Sequence, residues 1–459
     1  MIALIFAAAS LVQLSAPRID GVVERTMARL QLPSVSIAVA LDGRLAYVRS
    51  YGAARPDARY EIGSISKEFT AVCVLLLQQD GKLQLDTPLA RYLPDIPHAG
   101  EVSIRQLLTH TAGYPDYYAT LSNPDLFQNA TLDEIIARYS RAPLDFAPGT
   151  QWAYSNTGYA ILTKLIEQLT RKSYGAFLDE RLFYPLKLRG AIYEKRPLFG
   201  AATLYGYDRI LLGRQEIAVT EGENWLNGAA GIAMTAEDLV RWDIALMDGK
   251  VLRPESWREL VSEQHLTSGV GTGYALGLNV TQINGLTFLS HEGEVQGFTS
   301  ENAFLPEKRF AVAVLCNQEN SAAPGLLAGA IAGTFGFFPR SPDLPAGSVP
   351  ITPASAGESD PTAMQQVRAL FAELRSNGLS ANALTPAEAA IATPARLRHL
   401  SSALQSFGDP MIFEDLQTEK RAVFTITSVF VAFPRDRALS ITIARAPNGK
   451  IADLLVEPR

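Results

Sequence analysis

Ser64 and Lys67 stand three residues apart in the stretch Tyr60-Glu61-Ile62-Gly63-Ser64-Ile65-Ser66-Lys67-Glu68-Phe69. Residues at i and i+3 share one face of a helix, so a serine oxygen and a lysine amine at this spacing point into one volume. A lysine held away from water loses its proton more readily and can then take one from the serine, turning the hydroxyl into a nucleophile. A serine at a helix start also lies near unpaired N–H groups and the positive end of the dipole, which favour negative charge there. Two further stretches carry matching chemistry. Tyr154-Ser155-Asn156 offers a phenol able to shuttle a proton beside an ammonium. Its asparagine amide can face a lysine and a substrate carbonyl together. His291-Glu292-Gly293 offers an imidazole for a substrate carboxylate, a carbonyl or a proton, and a glycine that lets a substrate backbone approach a strand edge. Each stretch alone has an ordinary structural use as well: a surface pair, a helix cap at Ser155 or Asn156, a packing histidine.

These groups need elements to hold them. Residues 19–32 have helical spacing, and 35–40 and 44–49 read as strands joined by Asp42-Gly43, a strong hairpin signal. An apolar helix runs on from Ser64 and ends at Asp80-Gly81, where glycine can take the left-handed conformation. Helices follow over 103–110, 131–139 and 157–171, and Thr235-Ala-Glu-Asp238 resembles a capping box before another. Strand patterns return over 275–280, 286–290, 298–305 and 309–317, then a small-residue helix over 322–335. Two strands and a helix at the start, with the remaining strands after a long helical insertion, make an α+β domain with a helical subdomain.

The stretch 339–361 is rich in proline, serine, alanine and glycine and reads as a linker. Beyond it, residues 362–459 suggest a small α+β accessory domain, with helices over 362–375 and 394–404 and strands over 423–433, 439–444 and 451–456. Asn448-Gly449 joins the last two.

The chain of 459 residues is too long for one ordinary core, and 47% hydrophobic with 19% charged residues is a globular composition. A net charge of −6 without a basic block argues against nucleic acid as a partner. The five histidines show no ligand spacing, so neither a metal nor another cofactor is expected. Cys73 and Cys316 fall in apolar runs and read as buried small hydrophobes rather than a disulfide. Residues 1–16 form an apolar run ending in small residues, too short for a membrane span and suited to a secretory signal cleaved after Ala16. This predicts an exported chain whose mature form, 17–338 and onward, has no integral membrane segment.

Ser64-x-x-Lys67, Tyr154-x-Asn156 and His291-x-Gly293, in that order, resemble the three motifs of the serine β-lactamase and penicillin-binding-protein superfamily. The Tyr-x-Asn form and the histidine third motif are similar to its class C branch of β-lactamases, D-aminopeptidases, DD-carboxypeptidases and carboxylesterases. Leu107-Leu-Thr-His-Thr-Ala-Gly113, Phe146-x-Pro-Gly149 and Tyr184-Pro-Leu186 read alike, and the resemblance covers about residues 19 to 338. It implies a β-lactamase/transpeptidase-like fold. Ser64 would be the acylated nucleophile, Lys67 and Tyr154 would share proton transfer, and Asn156 would orient Lys67 and the substrate. The backbone N–H groups of Ser64 and Glu294 would form the oxyanion hole. The expected substrate is an ester or a D-amino-acid-containing peptide. The alternatives are a class C-type β-lactamase and a slow penicillin-binding or regulatory protein of the same fold. The third motif departs from the Lys-Thr-Gly usual in β-lactamases of this branch, and Glu292 and Glu294, if turned inward, would repel an anionic substrate. The C-terminal pattern resembles a cystatin-like or nuclear-transport-factor-like fold.

Overall fold

The computed structural model describes residues 2–119, 123–193, 204–283, 285–337, 361–376, 379–421, 424–434 and 437–458. Its centre is a six-stranded antiparallel sheet in the order Arg44–Gly52, Ser34–Leu41, Phe310–Cys316, Phe298–Leu305, Leu286–Val295, Asn279–Ile283. The first hairpin turns at Asp42 and Gly43, both at positive φ, as the Asp-Gly pair requires. Every residue of Ser34–Leu41 is buried, because this strand is interior to the sheet and covered on both faces. Alternation sorts its side chains. Val35, Ile37, Val39 and Leu41 pack with Val312, Val314 and Cys316 under the Ala323–Thr334 helix and the first helix, Ile2–Leu30. Ala38 and Ala40 face the other way, onto the helical insertion built around Ser66–Gln79 and Asn156–Thr170. Cys73 and Cys316 are both buried and unbridged.

Three of the insertion's helices begin on side-chain caps. Ser103 and Thr131 each form a reciprocal box, with Gln106 and Glu134 respectively, and Thr235 accepts from Asp238 N. Three boundaries differ from the sequence expectation, each for a visible reason. Ser64 lies in a one-turn 3-10 helix, Gly63–Ile65, and the α-helix proper starts at Ser66. The strand expected over 275–280 starts only at Asn279, because Gly277 turns at φ +75° over the backbone of Lys67; a Cβ there would sit 2.8 Å from Lys67 O. The strand expected to end at Ser290 runs on through the third motif to Val295.

Residues beyond the first sheet form a four-stranded antiparallel sheet, Ile412–Arg421, Phe424–Phe433, Arg437–Arg445 and Ile451–Pro458 in chain order. Its inner face packs with helices Pro361–Ser376 and Pro394–Ser406 around Leu374, Leu400, Leu404 and Val429. The proline-rich stretch 339–361 falls outside the described residues except for Pro361, which opens the first of these helices. Residues 2–16, read as a signal, continue into the first helix without a break. Among the described residues no helix is long and apolar enough to cross a membrane.

Candidate active site

The Ser66–Gln79 helix runs buried through the middle of the insertion and carries Lys67, 0% exposed, just after the Ser64 turn. The loop before Asn156–Thr170 brings Tyr154 and Asn156 to the same place. Tyr154 OH donates to Ser64 Oγ at 2.7 Å, and Lys67 Nζ lies 2.9 Å from the same oxygen. Lys67 Nζ also donates to Asn156 Oδ1 at 2.8 Å and to Ala229 O at 2.9 Å. Its Nζ sits 4.7 Å from the Tyr154 ring centre and 5.3 Å from that of Tyr159. Ser64 and Tyr154 keep partial exposure while Lys67 and Asn156 are buried, so the hydroxyl and the phenol face the opening and the amine stands behind them.

The amide of Asn156 has one permitted orientation. Asp116 Oδ1 accepts from Asn156 Nδ2 at 3.0 Å and from Asn156 N at 2.9 Å. A carboxylate acceptor demands the NH₂ end, so the carbonyl end must face Lys67. Asp116 itself is buried. Nothing local in the sequence marks it, forty residues upstream of its partner. Nor does any pattern single out Tyr274, whose hydroxyl lies 2.9 Å from His291 Nε2. His110 was legible only as a member of the quoted Leu107–Gly113 stretch. It adopts φ +58°, accepts the Ser155 N–H on Nδ1 at 3.1 Å and lays its ring 4.3 Å from that of Tyr154.

The third motif takes a different place from the one expected. His291 is 2% exposed and turned inward. Its Nδ1 is 2.5 Å from Glu292 O, which only accepts, so Nδ1 carries the proton and Nε2 receives the Tyr274 hydroxyl. Burial, and secondly the charge of Lys67, pushes the imidazole pKa down from 6.5 to about 3. His291 is therefore neutral, with both nitrogens engaged inside the protein. Gly293 does not leave room for a substrate: a Cβ there would lie 1.9 Å from Ile62 O and 2.3 Å from Ser300 Oγ. Its smallness lets the strand dock against the segment leading to Ser64. Because side chains alternate along Leu286–Val295, Glu292 and Glu294 are exposed while His291, Gly293 and Val295 are buried. Glu292 pairs in register with Glu301, and Glu294 Oε1 accepts from Asn320 N at 2.8 Å. The inward pair of acids that would repel an anion is absent.

The neighbouring strand Asn279–Ile283 pairs only as far as Ser290. The free edge beyond it meets the Gly63–Ile65 turn, and a Cβ on Gly63, at φ +52°, would lie 2.6 Å from Glu294 N. The backbones of Ser64 and Glu294 are thus brought side by side. Behind Lys67, the next residue, Glu68, is buried with Asp243, and Asn302 Nδ2 bridges them at 3.2 and 2.9 Å. Burial raises the Glu68 pKa from 4.5 to about 8; burial and the Glu68 charge raise that of Asp243. Among the described residues no group of histidine, cysteine and acidic side chains is arranged to hold a metal ion.

This fold and this constellation define a β-lactamase-type structure, an antiparallel sheet flanked by helices with a serine–lysine pair at their junction. The profile of the Beta-lactamase family matches residues 19–333, and the chain belongs to that family. A D-aminopeptidase from Brucella canis is 28% identical over 331 residues, covering 68% of this chain. The chain spans 61 to 65% of the length of the curated relatives it matches. The structure of the D-amino acid amidase from Ochrobactrum anthropi with D-phenylalanine is similar at 26% identity and a TM-score of 0.59, over 66% of this chain and 91% of that one. The octameric penicillin-binding protein homologue from Pyrococcus abyssi, at 19% identity, shares the fold over 97% of this chain and 98% of its own, with a TM-score of 0.62.

Proposed function

We propose that the chain is a serine hydrolase of the class C type, working through an acyl-enzyme on Ser64 and cleaving an ester or a D-amino-acid-containing amide. The observation that carries this is the set of partners around Lys67. Asn156 Oδ1, fixed by Asp116, and Ala229 O are acceptors without protons to give. A neutral Lys67 amine spends its two N–H groups on them, which leaves its lone pair aimed at Ser64 Oγ 2.9 Å away. Ser64 then passes its proton to Lys67 as Oγ bonds to the substrate carbonyl carbon. The carbonyl oxygen takes the negative charge, stabilised by the N–H groups of Ser64 and Glu294; such donors are each worth roughly 3–4 kcal/mol. When the intermediate collapses, the carbon–nitrogen or carbon–oxygen bond to the leaving group breaks. Tyr154, hydrogen-bonded to Ser64 Oγ, is placed to hand that group its proton. Water then attacks the ester on Ser64 by the same path in reverse and frees the acid.

The substrate class is supported by the neutrality of His291 and by the outward course of Glu292 and Glu294, which leave the third motif with neither a cation for a carboxylate nor an anion against one. The D-amino acid amidase and D-aminopeptidase similarity points the same way. A β-lactam, which brings a carboxylate, lacks the lysine that would hold it. Export after cleavage behind Ala16 is a separate proposal, checked by N-terminal sequencing of the mature chain. The test of the function is labelling by a fluorophosphonate probe, with turnover of p-nitrophenyl esters, D-alanyl amides and nitrocefin. Label on wild type and none on Ser64→Ala is expected; equal labelling of both proteins would refute the mechanism.

A further inference from the structure

One loop of the first 337 residues leaves its own core and enters the C-terminal one. Leu211 is 3% exposed and belongs to the cluster of Val367, Leu370, Leu400 and Val456. The Ile210–Leu212 turn packs on the Pro394–Ser406 helix and on the Ile451–Pro458 strand. Leu211 and Leu212 stand at φ 52° and 59°, a left-handed conformation that leucine avoids unless its surroundings impose it. Two polar contacts close the joint: His399 Nε2–H donates to Leu212 O at 3.1 Å, and Arg396 meets Glu216 at 3.1 Å.

The other end of the same loop bears on the catalytic constellation. Tyr207 N is shared between Gly297 O and Asn317 O, both at 3.2 Å, and Glu319 N donates to Tyr207 O at 2.9 Å. Gly206 and Gly297 touch backbone to backbone; a Cβ on Gly206 would lie 2.8 Å from Gly297 Cα. Gly297 closes the turn after the third motif, and its N–H donates to Glu319 Oε2 at 3.0 Å. Asn320 N reaches back to the Glu294 carboxylate. The loop, the 317–320 segment and the 294–297 turn are therefore one hydrogen-bonded body, with Glu294 fastened into it by its side chain.

We propose that the C-terminal unit positions the backbone N–H of Glu294 through this loop, with Leu211 as the anchor and Gly206 as the bearing surface. Neither residue touches the reacting atoms; both are positioning residues. The kinetic consequence rests on the hydrolase mechanism above. A misplaced oxyanion donor weakens transition-state binding more than substrate binding, so kcat falls while KM holds.

The experiment uses the full chain. In Leu211→Ala, amide hydrogen exchange in peptides covering 292–299 should quicken by about fivefold while that of 66–79 is unchanged, since local opening follows local fastening. Its kcat should fall by about tenfold with KM within about twofold, a partial version of losing one oxyanion donor. Gly206→Ala, which presses on the turn with the C-terminal unit still seated, should lower kcat in the same way. If Leu211→Ala does not fold, the double variant Arg396→Ala/His399→Ala loosens the joint from its surface and should shift exchange in the same direction. Wild-type exchange across 292–299 in the folded variants overturns the proposal, as does a kcat that falls only with the titrated fraction of active sites. The exchange measurement needs no substrate. A wild type that resists labelling at Ser64 would thus defeat the hydrolase mechanism and leave the coupling to be decided separately.

Discussion

Asp116→Ala tests the catalytic arrangement at the point where it is most specific. The carboxylate is the acceptor that forces the Asn156 carbonyl toward Lys67, through bonds of 3.0 and 2.9 Å. Without it the amide can turn over and offer its NH₂ to the lysine, so a neutral amine would have one acceptor fewer for its protons. Its lone pair would then no longer be held on Ser64. A hydrogen bond to a charged group is worth about 1.5–3 kcal/mol, and losing one such constraint from the transition state lowers kcat by about 10- to 150-fold. The isosteric Asp116→Asn keeps an acceptor and should fall between this variant and wild type. Stability should drop as well, because Asn156 N loses its partner inside the protein; a cost of about 1–3 kcal/mol is expected for that group. The assay is steady-state hydrolysis of the best ester from the panel, corrected for active sites, beside a urea melt. A folded Asp116→Ala with kcat within twofold of wild type would show that Asn156 does not orient Lys67.

Glu68→Gln bears on pH. The folded chain holds the Glu68 proton up to about pH 8, whereas the unfolded chain releases it near 4.5. Stability on this account is full below 4.5 and is lost as pH rises through 8. The variant should show a smaller fall in melting temperature than wild type between about pH 5 and pH 9; parallel curves would mean the acid is ionised in the fold. Tyr154→Phe removes the 2.7 Å bond to Ser64 Oγ. It should slow amide cleavage far more than p-nitrophenyl ester cleavage, by a factor of about 10 or more, because nitrophenolate leaves unprotonated. An equal loss on both substrates would take Tyr154 out of leaving-group protonation. Gly293→Ala places a Cβ 1.9 Å from Ile62 O and should cost at least the about 1–3 kcal/mol typical of overpacking, since the atom it meets is backbone. A wild-type urea midpoint would show that the strand has room.

Much of this was written in local spacing. Asp42-Gly43 announces the first hairpin, Ser103 and Thr131 announce their helices, and each of the three motifs is a pattern of at most four residues. What joins the motifs is not local. Asp116 reaches Asn156 across forty positions, and Tyr274 reaches His291 from just before a stretch that reads as strand but is turned by Gly277. The strand Ile412–Arg421 has no clear sequence signal because it lies at the sheet edge, paired among the described residues with Phe424–Phe433 alone, and carries Glu414, Asp415, Glu419, Lys420 and Arg421. Charges on an edge blunt unwanted pairing, and they also erase the apolar alternation by which a strand is recognised. The plug at Leu211 was beyond sequence reading for another reason: an apolar residue in a polar loop looks the same whichever core it enters.

The state of His291 bears on where protons can move in the site. An imidazole buried between Tyr274 and the Glu292 carbonyl, its pKa pushed down to about 3, is neutral near neutral pH. It cannot supply the acid limb of a pH–rate profile, nor act as the cation for a substrate carboxylate. Under the proposed mechanism the protons move instead between Lys67 and Tyr154, both hydrogen-bonded to the Ser64 oxygen. What the histidine supplies is shape. Its ring centre lies 6.3 Å from that of Tyr154, and as a neutral group it adds no second positive charge near the lysine. A lysine in its place would add that charge beside Lys67 and favour the neutral amine, while also opening a site for an anion. The third motif of this chain thus places an uncharged ring, and not a second cation, near Lys67.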